Sequence, residues 1–224
     1  MSMTPSDLLL DALARAVAPA ALDWLRGEIG RQREAVDERK LGIALGLAGR
    51  KIGRTQLALT DDERASAGKL SAGWQPELWA ADEAARVLIL MASHRDDPAF
   101  AERVDRLCTT AEITEHIAYL KGFAIFPAAP LLLGRAREGV RSSITAVFVA
   151  IACHNPYPFR HFDEAAWNQM VVKCVFNGAP IESIVGLHER RNPEVVQMLR
   201  DLVSERRAAG RPLPDAVHAY VATN

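Results

Sequence analysis

Residues 163–178 read DEAAWNQMVVKCVFNG and show most clearly how the chain folds. Apolar side chains recur along this stretch at steps of three and four residues, at Trp167, Met170, Val171 and Cys174. That spacing places them in one stripe along an α-helix. Asp163 can accept hydrogen bonds from the first backbone amides, and Asn177-Gly178 is a common end of a helix. The stretch therefore predicts a capped helix with one buried side.

The same helical spacing occurs along most of the chain. Ser6 and Asp7 can cap a first helix, Pro19 interrupts its stripe, and Asn192-Pro193 can begin a late helix. No alternating pattern typical of a strand exceeds a few residues. The sequence thus predicts an all-α fold, in which antiparallel helix pairs form a layered or superhelical array resembling αα-repeats.

Local composition suggests three parts. Residues 1–50 predict an N-terminal helical layer, and residues 76–224 predict the main helical domain, with Pro76 in the first turn of its first helix. Residues 51–75 contain several glycines and no sustained stripe, which predicts a flexible linker or loop. One continuous domain over the whole chain is the alternative.

Composition and charge exclude several classes of protein. The chain has 224 residues, of which 49% are hydrophobic, so it can fill a core and is not disordered. Lysine and arginine number 27 against 28 acidic residues, which argues against nucleic-acid binding through a basic surface. Three scattered cysteines, Cys108, Cys153 and Cys174, are too few for a disulfide framework and favour a reducing compartment.

Export and membrane signals are not expected. The first residues lack a basic stretch before their apolar run, unlike a signal peptide. The longest apolar segment, residues 144–153, is about half of the ~20 residues that a membrane-spanning helix needs. We therefore expect a cytoplasmic protein without a membrane-spanning segment.

Candidate chemistry concentrates after residue 152, because the common nucleotide-binding, hydrolase and zinc-protease motifs do not occur. His154 and Asn155 follow an apolar helix, where polar side chains must pair or face a cavity. His154 is a candidate acid/base or ligand-binding residue, or alternatively a helix cap. Tyr157 is a candidate aromatic contact for a ligand or a packing anchor.

The helix from Asp163 carries a second candidate group. Gln169 and Lys173 are one turn apart, so both can reach one phosphate or carboxylate, and Asn168 lies beside them. Lys173 is also a candidate electrostatic stabiliser or nucleophile. The alternative is a solvated face with a helix-to-loop tether. Trp167 in the same run is either a ligand contact or a packing anchor.

Arginines complete a predicted anion pocket. Arg141 and Arg191 can form bidentate contacts and, with Lys173, can bind a phosphorylated metabolite. Alternatively, these arginines pair with neighbouring acids at the surface. Glu112 and His116 share a helix face, but no second matching pair completes a di-iron site, so neither a metal nor a cofactor is expected.

At these residues the chain resembles the EboA family of bacterial metabolite-traffic proteins. The resemblance is dense over residues 137–212 and rests on several short words: Arg137-Glu138-Gly139 with Arg141, Asn155-Pro156-Tyr157-Pro158, Trp167-Asn168-Gln169-Met170-Val171 with Lys173, and Arg191-Asn192. The chain departs from the family at Val149 and His188, where an acid is usual, and at Arg207, where an aromatic residue is usual.

The resemblance implies an accessory role in a bacterial pathway that makes or exports a secondary metabolite. Other proteins of the same cluster, including a prenyltransferase, are the implied partners, and the implied ligand is anionic or prenyl-linked. No catalytic role is implied by the family. Two alternatives stay open: an enzyme acting on a phosphorylated metabolite with His154 as acid/base, and a non-catalytic helical scaffold.

Overall fold

The computed structural model describes residues 3–222, in which the chain forms 13 α-helices and no strand. The helices are α1 (Pro5–Ala16), α2 (Pro19–Glu34), α3 (Glu38–Ile52), α4 (Asp61–Leu70), α5 (Ala81–Ala92), α6 (Asp97–Thr110), α7 (Ile113–Gly122), α8 (Leu133–Arg141), α9 (Thr145–Ala152), α10 (Tyr157–His161), α11 (Glu164–Phe176), α12 (Pro193–Ala208) and α13 (Asp215–Ala222). The predicted all-α fold is confirmed. Residues 1–2 and 223–224, which the predicted N-terminal layer and main domain include, lie outside the described residues.

Side-chain caps set several helix starts. Asp163 Oδ1 accepts from the Ala166 backbone amide at 2.9 Å, as the sequence predicted for α11. The predicted cap of α1 was wrong. Thr4 caps that helix, because Pro5 occupies its first position and the Asp7 carboxylate accepts back from the Thr4 backbone amide.

A helix occupies the middle of the segment predicted as a linker. Thr60 caps α4, and the Glu63 carboxylate accepts from the Thr60 amide at 2.8 Å. Leu57 and Leu59 just before it are buried in the core. Pro76 opens a short 3-10 turn, Pro76–Leu78, rather than the first turn of α5. The division into three parts stays a prediction.

Helix α5 is the centre of the N-terminal half, where it packs against α2, α3 and α7. It carries a buried ion pair, in which Arg86 Nη1 donates to Asp82 Oδ2 at 2.6 Å and both side chains are under 5% exposed. Arg86 Nε also donates to the Leu45 carbonyl oxygen of α3. Gly49 leaves room for this guanidinium, since a Cβ there would lie 3.1 Å from Arg86 Nη2.

Helices α3, α5, α7 and α9 pack in succession, and α9 continues onto α8 and α11. Gly139 of α8 allows close contact with α7 and α9, because a Cβ there would lie 3.2 Å from Leu120 and 3.3 Å from Ile151. Helices α12 and α13 complete the C-terminal end. In the described part of the chain, no helix has both the length and the apolar character to cross a membrane. The packing leaves one side of α9 as the wall of a cleft.

Candidate functional site

A cleft of about 350 Å³ opens beside α7 and α9 and is called the α7–α9 cleft here. Its lining residues are Leu78, Trp79, Ile117, Lys121, Ala146, Val149, Ala150, Cys153, His154 and Asn155. Helix α9 makes an apolar wall because its sequence, TAVFVAIA, is apolar on every side. Phe148 and Ile151 are buried in the core, whereas Ala146 and Val149 remain accessible in the cleft.

Exposed apolar side chains extend this wall. Leu78 in the lining is 40% exposed, and Ile113, one turn before Ile117 on α7, is 50% exposed. Ile144, directly before α9, is 43% exposed. Isolated apolar side chains are ordinary at a surface, but a group beside an apolar cleft is typical of a binding site.

His154 lies at the polar end of the cleft in a strained backbone conformation. Its φ of 53° is left-handed, which a residue with a side chain seldom adopts. Its backbone amide donates to the Ser183 carbonyl oxygen at 2.8 Å, and its Nδ1 lies 2.9 Å from Gln75 Oε1. Because an amide oxygen only accepts, Nδ1 carries the proton and Nε2 is left as an acceptor.

The electrostatic surroundings keep His154 neutral. Partial burial, and then the positive charge of Lys121, lower the pKa of the imidazole below its usual value. Lys121 itself is paired, since its Nζ donates to Glu83 Oε2 at 2.6 Å and to the Leu78 carbonyl oxygen at 3.3 Å. Near pH 7 the polar end of the cleft therefore offers an uncharged acceptor beside a paired ammonium group.

Asn155 and Tyr157 hold the joint between α9 and α10. Asn155 Nδ2 donates to the carbonyl oxygens of Leu120 and Ala150, at 2.9 and 3.1 Å, and its Oδ1 accepts from the Tyr157 amide. The Tyr157 hydroxyl donates to the Ala129 carbonyl oxygen at 2.6 Å, and burial raises its pKa. Both side chains thus bond to the protein's own backbone, although Asn155 also lines the cleft.

Trp167 and Asn168 connect α11 to its neighbours. Trp167 is fully buried, with the Arg190 guanidinium 4.7 Å from its ring centre. Asn168 accepts from Asn192 Nδ2 at 2.9 Å and donates to Glu194 Oε2 at 3.1 Å. These contacts tie α11 to the start of α12 and leave neither side chain at the surface.

Lys173 is directed to the end of α8. Its Nζ donates to the Val140 and Ser142 carbonyl oxygens, at 2.6 and 2.8 Å, where α8 stops. Carbonyl groups at the end of a helix lack partners within the helix, so an ammonium group there acts as a cap. The contacts match the tether that the sequence left open as an alternative.

A second, smaller cleft contains the other predicted anion-binding side chains. It measures about 200 Å³, and Arg141 and Gln169 line it together with Arg137, Phe162, Asp163 and Ala165. We call it the Arg141 cleft. Arg137 in it is ion-paired with Asp163 at 2.5 Å, and Arg191 lies elsewhere, its guanidinium carbon 5.6 Å from the Tyr220 ring centre.

The family model described as metabolite traffic protein EboA matches residues 5–222. The chain belongs to the EboA family. The match covers every helix of the fold and therefore both clefts. Neither a curated protein nor a solved structure gives a significant match. The family's description supports a role in metabolite traffic and a metabolite as partner.

Within this EboA-family fold, the candidate ligand-binding residues lie in different places. His154 and Asn155 line the α7–α9 cleft, and Arg141 and Gln169 line the Arg141 cleft. Tyr157, Trp167, Asn168, Lys173 and Arg191 line neither of the two. Their roles in ligand binding stay predictions. Val149, where the resemblance implies an acid, lies in the wall of the α7–α9 cleft.

Two larger depressions in the EboA-family fold are less suited to binding a ligand, because an arginine in each is already bonded to protein groups. One of about 520 Å³ contains Arg135, which is already ion-paired with Asp105 and Glu138. The other, of about 440 Å³, lies beside α1 and α5 and contains Arg95, whose Nη2 donates to the Gln32 and Arg33 carbonyl oxygens. Among residues 3–222, no group of three acidic, histidine or cysteine side chains is placed to hold a metal ion.

Of the residues that line the α7–α9 cleft, only His154 and Asn155 are predicted site residues; those that the sequence does not point to include Trp79, Lys121 and Cys153. Lys121 follows Ile117 by one helical turn, so the pair shares a face of α7, but nothing in the sequence indicates that α9 lies opposite. Trp79 is brought in by the 3-10 turn Pro76–Leu78. Cys153 is buried, at 5% exposure, yet it also belongs to the cleft wall.

Proposed function

We propose that this EboA-family chain binds a prenyl-linked metabolite in the α7–α9 cleft, as an accessory protein of a bacterial secondary-metabolite pathway in the cytoplasm. The observation that carries the proposal is an apolar cleft with hydrogen-bonding groups at one end. Its volume of about 350 Å³ lies within the range of small-molecule sites. Burying a hydrocarbon chain there is favourable by about 0.8 kcal/mol for each methylene group.

The polar end favours an uncharged head group over a diphosphate. His154 Nε2 can accept a hydrogen bond from a hydroxyl, and the Lys121 ammonium group can donate to a carbonyl or hydroxyl oxygen. Because Glu83 already balances the charge of Lys121, a highly charged head group would gain little attraction. A prenyl chain bearing a hydroxyl or carbonyl group is therefore the proposed ligand class.

The Arg141 cleft supports a second, anion-binding function. Arg141 is exposed there beside Gln169, and a guanidinium group suits a phosphorylated metabolite. At about 200 Å³ the cleft is smaller than most ligand sites, which makes it the second candidate.

A matched pair of tryptophan substitutions separates the two clefts. Ala146→Trp fills the α7–α9 cleft and Ala165→Trp fills the Arg141 cleft, and both positions are exposed on helices. Ala208→Trp, on an exposed position of α12, controls for adding an indole. The probes are a fifteen-carbon prenyl alcohol and its diphosphate, titrated by isothermal calorimetry.

We expect Ala146→Trp to weaken binding of the prenyl alcohol by at least about tenfold, or ~1.4 kcal/mol, while the other two variants retain it. Equal affinity in Ala146→Trp and the unmodified protein would refute the α7–α9 cleft as the site. Loss of diphosphate binding in Ala165→Trp alone would assign the function to the Arg141 cleft.

The enzyme alternative requires His154 to act as acid/base. His154→Gly is the suitable variant, because glycine adopts the left-handed backbone without strain. Loss of pathway product with an unchanged melting temperature and unchanged probe affinity would support catalysis. Unchanged product with reduced probe affinity would support binding alone.

A further inference from the structure

The segment 75–79 borders the α7–α9 cleft, to whose lining it contributes Leu78 and Trp79. Gln75 begins this segment, and its half-buried side chain extends to His154, where Gln75 Oε1 lies 2.9 Å from His154 Nδ1. The two residues are 79 positions apart in the sequence, so the contact arises from the fold. Gln75 therefore contacts the residue at the polar end of the cleft without lining the cleft itself.

The amide oxygen of Gln75 determines which ring nitrogen of His154 carries the proton. A neutral imidazole has one N–H donor and one acceptor nitrogen, and a hydrogen bond at one nitrogen sets the role of the other. Because Gln75 Oε1 only accepts, the proton stays on Nδ1 and Nε2 becomes the acceptor. Without this amide, either nitrogen of the ring can carry the proton.

The backbone of His154 holds the ring in place. Its φ of 53° is left-handed, and its amide donates to the Ser183 carbonyl oxygen at 2.8 Å. Such a conformation persists only where the surroundings impose it, and residues of this kind cluster at functional sites. The bonds to the backbone amide and to Nδ1 together fix both the position and the orientation of Nε2.

Lys121 supplies the complementary group at the same end of the cleft. An ammonium group has three N–H donors. Within residues 3–222, two of those on Lys121 Nζ are used, by Glu83 Oε2 at 2.6 Å and by the Leu78 carbonyl oxygen at 3.3 Å, which leaves the third for a ligand. The polar end thus combines one acceptor, His154 Nε2, with one donor, Lys121 Nζ.

A hydroxyl group matches this pair better than a carbonyl group does. A hydroxyl can donate to His154 Nε2 and accept from Lys121, whereas the oxygen of a ketone or ester only accepts. A carbonyl ligand therefore leaves Nε2 without a partner on the ligand. Because His154 is exposed, water replaces part of the lost bond, and the difference in affinity should be that of one net hydrogen bond.

We propose that Gln75 is a positioning residue, which fixes the proton of His154 on Nδ1 and thereby makes the α7–α9 cleft prefer a prenyl alcohol to prenyl carbonyl compounds. The position of the proton is a property of the protein without ligand. The preference for the alcohol rests on the proposed function.

Three substitutions of glutamine provide the test. Gln75→Met removes the acceptor at Nδ1 and keeps the length of the side chain. Gln56→Met is the matched control, because Gln56 Nε2 donates to the Glu77 carbonyl oxygen at 2.9 Å and so ties the same segment without contacting His154. Gln75→Glu again offers an acceptor to the Nδ1 proton and should behave as the unmodified protein does.

The first measurement is nitrogen–proton NMR of the histidine rings at about pH 8.5, where histidine is neutral. Protonated and unprotonated ring nitrogens have distinct shifts, and His154→Gly identifies the His154 signals among the six histidines. We expect a protonated Nδ1 and an unprotonated Nε2 in the unmodified protein, in Gln56→Met and in Gln75→Glu. Gln75→Met should show a mixture of both forms.

The second measurement is calorimetric affinity for the fifteen-carbon prenyl alcohol and for a prenyl methyl ketone of equal length. The alcohol should bind about fivefold tighter, or ~1 kcal/mol, wherever the proton is fixed on Nδ1. In Gln75→Met the two affinities should become nearly equal.

A protonated Nε2 in the unmodified protein would overturn the proposal, and this spectrum is decisive even if Gln75→Met unfolds. An unchanged spectrum in Gln75→Met, or the same loss in Gln56→Met, would also overturn it. If the proton follows Gln75 but alcohol and ketone bind equally, the preference is wrong while the α7–α9 cleft stands as the site. If neither probe binds the unmodified protein, the proposed function fails with the preference, and the spectra alone judge the positioning role.

Discussion

Replacing Lys173 by methionine tests whether this lysine supports the fold or binds a ligand. The change keeps most of the side-chain stem and removes two charge-assisted hydrogen bonds, of 2.6 Å to Val140 and 2.8 Å to Ser142. Each such bond contributes about 1.5–3 kcal/mol when shielded. The side chain is only half-buried, and burial lowers the pKa of Lys173, so solvent and the cost of burying the charge reduce the sum. We expect the free energy of unfolding to fall by about 1–3 kcal/mol.

Urea unfolding followed by circular dichroism measures this change. Lys51→Met is the matched control, because Lys51 is an exposed lysine in the last turn of α3 and shares the favourable helix-end charge. The control should change stability by less than about 0.5 kcal/mol. A Lys173→Met variant as stable as the control, with weakened binding of the prenyl alcohol or its diphosphate, would refute the structural role and restore Lys173 as a ligand-binding residue.

Three further perturbations test other parts of the fold. Gly186→Ala should lower the free energy of unfolding by more than ~2 kcal/mol, because the φ of Gly186 is 78° and an added Cβ would lie 1.9 Å from Phe159. Gly178→Ala is the control: its φ is 70°, but no atom lies near an added Cβ, so it should cost only ~1 kcal/mol in the same urea assay. Arg86→Met should cost about 3–5 kcal/mol of stability and so lower the thermal midpoint, since it leaves the buried Asp82 carboxylate with only the more distant guanidinium of Arg54, at 3.8 Å. Burial lowers the pKa of His116 and of two other histidines, so the unfolded state binds more protons as pH falls below about 6.5. Stability should therefore decline from pH 7 to pH 5, and His116→Gln should reduce that slope.

Helix periodicity and caps made the fold class predictable from sequence, because both are local properties. The apolar stripe that ends at Cys174 and the cap at Asp163 are confirmed. The helix over residues 61–70 was not predicted, because its composition is polar and it buries little besides Ala67. Its start nevertheless had a local signal, Thr60 followed by Glu63, which forms a capping box.

The candidate sites were less predictable because they depend on which helix faces meet. Gln169 and Lys173 are one turn apart on α11, yet Gln169 lines the Arg141 cleft while Lys173 extends to the end of α8. Long, flexible side chains from neighbouring positions can thus reach different neighbours. Spacing along one helix shows which residues are adjacent but gives no information about the element opposite.

The structure also separates the residues that hold the helices together from those that line the proposed site. Residues of the motifs that carry the family resemblance form hydrogen bonds within the protein. Asn155 bonds to α7 and α9, Asn168 to the first turn of α12, and Lys173 to the end of α8. Substituting them will disturb folding and binding together. The wall of the α7–α9 cleft instead consists of side chains such as Ala146 and Val149, which carry no hydrogen bonds of their own. Because the cleft wall can change without disturbing those bonds, Ala146 and Val149 are positions at which the proposed site can be altered while the fold is kept.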